Sequence, residues 1–141
     1  MDSIEKTKHD ILRAHASAVA EVGIRKAGER TRVVIASPFA GAVRRNLEYL
    51  GLCIRHSVSL GEAPLAPHAM YPLGLDDQDK GERRAGMDCG LAWLASGACA
   101  ALAVYVDLGV SAGMLTEIAA AQQLGVLIVR RTVPGYIVSV V

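Results

Sequence analysis

The run from Val104 to Val129 constrains the fold more than any other part of the chain. It reads as a β-branched strand, a turn containing Gly109, a helix closed by Gly125, and a second strand. From Leu91 to Val129 only Asp107 and Glu117 carry a formal charge. Strands without polar alternation are apolar on both faces, so they need layers above and below them, as in a parallel sheet covered by helices on each side. Ligands of such sheets bind at the carboxyl ends of the strands. Asp107 ends one of these strands, and Glu117 lies on the helix that leaves it.

The rest of the chain follows the same alternation. Arg32 to Ser37 is a short β-branched run ending in the turn Ser37-Pro38-Phe39-Ala40-Gly41. Val43 to Leu60 has helical spacing, with Leu47, Leu50, Ile54 and Val58 on one side and Gly61 after it. Ala63 to Pro67 reads as a second strand, His68 to Lys80 as a long loop, Glu82 to Leu94 as a helix, and Tyr136 to Val141 as a fifth strand. Ahead of these, Ile4, Ile11, Leu12, Val19 and Val22 predict an amphipathic helix over Met1 to Val22. The expectation is an α/β, Rossmann-like (flavodoxin-like) three-layer sandwich: a central parallel sheet of about five strands, plus an N-terminal helix. Residues 1–28 form the helical extension and residues 29–141 the domain.

Composition narrows the function classes. Fifteen Lys and Arg against fourteen Asp and Glu give a net charge of +1. No global field therefore favours nucleic acid polymers or an anionic membrane, and neither is expected as a partner. Cys53, Cys89 and Cys99 are odd in number and lack a Cys-x-x-Cys pair, so neither a disulfide framework nor a zinc site is expected, and a reducing cytoplasm fits. The charged residues Asp2, Glu5, Lys6, Lys8, Asp10 and Arg13 exclude a signal-peptide core. The uncharged run ending at Val106 is broken by Ser96 and Gly97, as a passage from helix to strand would be, so no membrane span is expected.

Three motifs carry chemistry. Gly109-Val110-Ser111-Ala112-Gly113 matches the Gly-x-Ser-x-Gly nucleophile elbow, but that elbow needs a later histidine. His9, His15, His56 and His68 all precede Ser111, which argues against a serine hydrolase. Ser111 instead reads as the N-cap of the next helix, either an ordinary cap or one whose free backbone N–H groups hold a phosphate. Glu117 follows less than two turns later, with Gly113, Ala120, Ala121 and Leu124 as its helical neighbours and no cation among them. A carboxylate on a small, apolar stripe is costly to bury, which favours a role in a site. Asp107 reads either as a site acid or as a turn aspartate bonding its own backbone.

The stretch Ser111 to Ala121, preceded by Leu91-Ala92-Trp93-Leu94 and an apolar strand, resembles the nucleoside 2-deoxyribosyltransferase-like superfamily. That group includes the 2'-deoxynucleoside 5'-phosphate N-hydrolases and small phage and bacterial proteins. Arg32 to Gly41, Asn46 and Ala63 to His68 add to the likeness, which covers roughly Arg32 to Val129.

The resemblance implies that Glu117 is a nucleophile attacking the anomeric carbon of a nucleoside or nucleotide, through a covalent glycosyl-enzyme intermediate. It implies a 5'-phosphate held by Ser111, Gly113 and the adjoining Met114, because relatives acting on free nucleosides carry aspartate in place of Ser111. Ser37, Phe39 and Gly41 would hold sugar, phosphate or base, Phe39 by stacking or merely as a core residue. Asn46 matches the family pattern, whereas Arg44 and Arg45 read equally as solvated cations. His68 is a candidate for base contact or for a loop role.

One departure matters. The N-hydrolases carry an aspartate three residues before the tryptophan, where this chain has Gly90. Asp88 is the nearest substitute, but two helical positions turn its side chain by about 200°. Asp107 is the other candidate acid. The resulting expectation is a nucleotide N-glycosidase or deoxyribosyltransferase, cytoplasmic, self-associating as its relatives commonly do, and using no cofactor or metal. The alternative is a non-catalytic nucleotide-binding or nucleotide-sequestering protein of the same fold.

Overall fold

A computed structural model describes residues 5–12 and 30–138. Helix α1 covers residues 5–12; the remainder of the helix expected over Met1 to Val22 lies outside the described residues. Then follow β1 (Thr31–Ala36), α2 (Val43–Ser59), β2 (Glu62–Leu65), α3 (Pro67–Met70), a 3-10 turn (Tyr71–Leu73), α4 (Lys80–Ala95), β3 (Ala101–Tyr105), α5 (Ala112–Leu124) and β4 (Leu127–Arg131).

The four strands are parallel in the order β2-β1-β3-β4, with Val34 paired to Leu65, Ala36 to Val104 and Tyr105 to Arg131. Successive strand residues face opposite layers. Ile35, Ala103 and Tyr105 pack with Tyr49, Leu50, Leu52 and Cys53 of α2 and Ile11 of α1. Val34, Ala36, Leu102 and Val104 pack with Leu94 of α4 and Met114 and Ala121 of α5. The chain is therefore the three-layer α/β sandwich expected, with four strands rather than five among the described residues.

That residues 136–138 do not start a fifth strand has a physical cause. After Val133 the chain turns through Pro134 and Gly135, where φ of +79° suits glycine. Tyr136 then stacks edge-on against Tyr49, with 5.0 Å between ring centroids, instead of extending a ladder beside β4. Residues 136–138 are not a strand, and residues 139–141 lie outside the description.

The segment expected as a loop from His68 to Lys80 is half helical. Pro67 opens α3, where its fixed φ and missing N–H are tolerated, and the 3-10 turn continues it. Asp79 then caps α4 by accepting from the Glu82 amide at 2.9 Å. At its far end α4 stops at Ser96 and Gly97 before β3 begins, which is the expected passage from helix to strand. Among the described residues no helix is long and apolar enough to cross a membrane.

Candidate functional site

The chain leaves β1 toward β2 on one side and returns to β3 on the other, so the crevice beyond their carboxyl ends is the switch point of the sheet. A cleft of about 180 Å³ opens there. Its β1 side is made by Ser37, Phe39 and His68, and its α5 side by Ser111, Gly113, Met114 and Glu117. Tyr71, Pro72 and Leu75 form a further wall, and Asp77, Glu82, Arg83 and Gly90 bring in α4 and the approach to it.

Helix α5 starts with a reciprocal cap. The Ser111 hydroxyl accepts from the Met114 amide at 3.3 Å, and the Met114 sulfur accepts from the Ser111 amide at 3.4 Å. The amides of Ala112 and Gly113 are first-turn donors without an intrahelical acceptor, and with the helix dipole they make this end of the cleft suited to an anion. Glu117 stands on the same helix, half-buried, and its carboxyl makes no hydrogen bond or ion pair with another described residue. Burial alone pushes its carboxyl up to about 7. A carboxyl so placed is part-charged at neutral pH and able to act as nucleophile, base or acid.

At the β1 end the Ser37 hydroxyl and the His68 Nε2 are 2.8 Å apart. Burial pushes the imidazole pKa down to about 4, an interaction with the Ile35 backbone working weakly against it, so the ring is neutral at pH 7. Asn46 lies buried just behind. Its side-chain amide donates to the carbonyls of Phe39 at 2.9 Å and Ala40 at 3.2 Å, which fixes the turn that presents Phe39 to the cleft.

Other anticipated residues sit elsewhere. Gly41 supplies a positive φ of +90° in the turn before α2 and does not line the cleft. Asp88 points along α4 to Arg84, at 3.2 Å, as an i, i+4 ion pair on an exposed face. Asp107 faces the α2 layer, where its carboxylate accepts from the Tyr49 hydroxyl at 2.6 Å and the Val133 amide at 2.9 Å. Neither aspartate lines the cleft with Glu117.

Gly90 has a steric reason. A Cβ built on it would stand 3.3 Å from the Pro67 Cβ, so the absence of a side chain lets α4 approach α3. Pro67 immediately precedes His68, so this close approach also sets where the histidine lies.

Tyr71, Asp77, Glu82 and Arg83 were not foreseen as cleft residues. The one signal was Pro67, a helix-opening proline that turns the supposed loop back over the strand ends. Tyr71 is held there by the Trp93 indole N–H, which donates to its hydroxyl at 3.0 Å. Among the described residues no group of three or more His, Cys, Asp or Glu is placed to hold a metal ion.

Residues 31–131, from the first residue of β1 to the last of β4, match the family described as a domain of unknown function, DUF7768. The chain belongs to this family. The DUF7768 domain thus spans the whole described sheet and all the residues of the cleft. No curated protein and no solved structure matches the chain.

Proposed function

We propose that this DUF7768 domain is a nucleotide N-glycosidase or deoxyribosyltransferase acting on a (deoxy)nucleoside 5'-monophosphate. The observation that carries the reading is the pairing, on one helix, of an anion-suited N-terminus with an unpartnered, half-buried carboxyl less than two turns on. The resemblance in sequence to deoxyribosyltransferase-like proteins supports the same assignment.

In this reaction the phosphate rests on the Ala112 and Gly113 amides. A Glu117 carboxylate oxygen forms a bond to C1' of the sugar as the C1'–N bond breaks, its electron pair going to the departing base, which takes up a proton. The resulting glycosyl ester is cleaved by water, giving the sugar phosphate and restoring the carboxylate, or by the nitrogen of a second base. The test is chromatography of free base after incubation with a panel of deoxynucleoside and nucleoside 5'-monophosphates. Release is expected with the native chain and lost with Glu117→Gln; release that survives this substitution refutes Glu117 as nucleophile.

A second reading is favoured by Gly90 and by the ion pair that occupies Asp88: nucleotide binding without cleavage. Saturable binding of the same nucleotides with no base released, by the native chain, decides for it.

The proposal includes self-association. Helix α5 is apolar on most sides, yet Leu115 and Leu124 stand 58% and 48% exposed. A helix apolar all round is ordinarily buried, and a second copy of the chain is the proposed cover. Sedimentation should show a dimer or larger species that Leu115→Asp weakens.

A further inference from the structure

Asp76, Asp77, Asp79, Arg83 and Arg84 surround the start of α4, and among the described residues all but Asp77 and Arg83 have their side chains engaged by the protein itself. These two line the cleft, and the other three do not. We infer that Asp77 and Arg83 read the base of the ligand, and that together they select guanine.

The corner that carries them is built by their neighbours. The Asp79 amide donates to the Asp76 carbonyl at 3.1 Å, closing a turn over residues 76–79, and the Asp76 carboxylate accepts from the Gln78 amide at 2.9 Å. Asp79 caps α4, and its carbonyl accepts from the Arg83 amide at 2.8 Å. These bonds fix the backbone from 76 to 83 without using the Asp77 carboxylate or the Arg83 guanidinium. Asp77 is half-buried against the cleft, whereas Asp76 and Asp79 are exposed. Arg83 shares with Met87 and Gly90 the face of α4 that lines the cleft. Arg84, about 100° further round the helix, pairs instead with Asp88.

Helix α4 follows the end of β2 and returns the chain to the start of β3, so its first turns stand at the rim of the sheet. Arg83 is therefore at the mouth of the cleft, about two turns above Gly90. A carboxylate offers two acceptors and a guanidinium a fork of donors, and no ion pair joins Asp77 to Arg83. Guanine presents the complement of both on one continuous edge: the N1–H and N2–H donors, then the O6 and N7 acceptors. Adenine sets a donor beside an acceptor, thymine flanks one N–H with two carbonyls, and cytosine has a single amino group, so each leaves part of the pair unmatched. Tyr71, Pro72 and Leu75 supply an apolar wall for the face of the ring.

The same mouth does not suit a phosphate. Asp77 and Glu82 set two carboxylates against the one guanidinium of Arg83, which disfavours a dianion there and leaves it to the α5 amides. Naming the ligand as a guanine nucleotide rests on the nucleotide reading of the site.

Titration calorimetry, with Glu117→Gln in every arm to prevent turnover, tests the inference from both sides of the contact. The ligands are the 5'-monophosphates of the four common deoxynucleosides, of deoxyinosine, whose base lacks the N2 amino group, and of 7-deazadeoxyguanosine, whose base lacks the N7 acceptor. The guanine nucleotide should bind tightest, about 10-fold or more above each analogue, the worth of one hydrogen bond to a charged group. Asp77→Ala should abolish its advantage over the inosine analogue, and Arg83→Met its advantage over the 7-deaza analogue. The comparisons with both side chains intact decide the matter even where a variant unfolds. Nucleotides that bind without preference, or that favour another base, overturn the inference and leave the nucleotide reading standing. A guanine preference that survives both substitutions overturns it too, as does an Arg83→Met loss of equal size for every base, which would make Arg83 a phosphate contact. If no nucleotide binds, the nucleotide reading fails and the guanine assignment falls with it.

Discussion

Tyr49 and Asp107 are bound to each other twice: the phenol donates to the carboxylate at 2.6 Å and accepts from the Asp107 backbone amide at 3.1 Å. The same carboxylate oxygen also takes the Val133 amide at 2.9 Å. These bonds join α2, the end of β3 and the segment after β4, on the face of the sheet opposite α5. Tyr49→Phe should leave a half-buried carboxylate short of a donor and cost about 1–2 kcal/mol in denaturant unfolding. Asp107→Asn should also destabilise, since it replaces a charge-assisted acceptor. Both variants should retain nucleotide binding and base release measured well below their unfolding midpoints; loss of release with an intact fold would give Asp107 a chemical part after all.

Gly90 stands where the resembled hydrolases carry an aspartate, yet restoring that residue should harm the protein. Alanine there gains about 1 kcal/mol of helix propensity and gives up a similar amount in crowding the Pro67 ring, for a net change within about 1 kcal/mol. Aspartate adds a carboxylate to the same contact, 3.3 Å from Pro67 before any relaxation, and should cost about 1–3 kcal/mol. Because Pro67 precedes His68, Gly90→Asp should also lower affinity for nucleotides. Thermal unfolding and calorimetry check both effects. Faster base release from a Gly90→Asp protein of undiminished stability would mean that the absent acid, and not packing, governs this position.

The layers were legible in the sequence because short apolar runs without alternation, bounded by glycine-containing turns, suit strands buried on both faces, as Ala101 to Tyr105 is. Ser111 and Glu117 were legible as cleft residues because both lie on one helix, where spacing fixes direction. Asp107 looked equivalent to Glu117, two lone acids in one apolar block. What separates them is Tyr49, 58 residues away in sequence, and no local pattern announces such a partner. The ion pair of Asp88 was legible, since Arg84 four residues before it makes a readable helical pair. Over its described residues, 136–138, the expected C-terminal strand is not formed: Tyr136 has β propensity, but it stands edge-on against Tyr49, a tertiary contact that no local pattern shows.

The bidentate pair of Glu62 and Arg131 ties the first residue of β2 to the last of β4, with both bonds at 2.6 Å and the side chains only 12% and 13% exposed. Burial by itself pushes the Glu62 carboxyl up, but hydrogen bonds from Arg131 and Ser57 outweigh it and hold the group below its ordinary value. Arg131→Ala leaves that carboxylate buried without its cation and should cost about 3–5 kcal/mol in denaturant unfolding. The double variant Glu62→Gln with Arg131→Met should cost less than the sum of the two single changes. Strict additivity would show that the pair contributes nothing as a pair.

Glu117 should betray its role through pH. Its folded pKa, about 7, lies above the ordinary carboxyl value of 4.5, so the native state binds its proton more tightly than the unfolded chain does. The stability this group contributes is fully present below about pH 4.5 and is lost as pH rises through about 7. Glu117→Gln cannot ionise, so it should match the native chain near pH 4.5 and exceed it by about 1–2 kcal/mol at pH 8, after allowance for the partial exposure of the group. Catalysis separates the chemical roles by sign. A nucleophile must be ionised, so kcat/KM for base release should climb with pH through about 7 and level off above it. A limb that falls through the same pH would make Glu117 the proton donor to the leaving base, and would transfer the nucleophile's part to water.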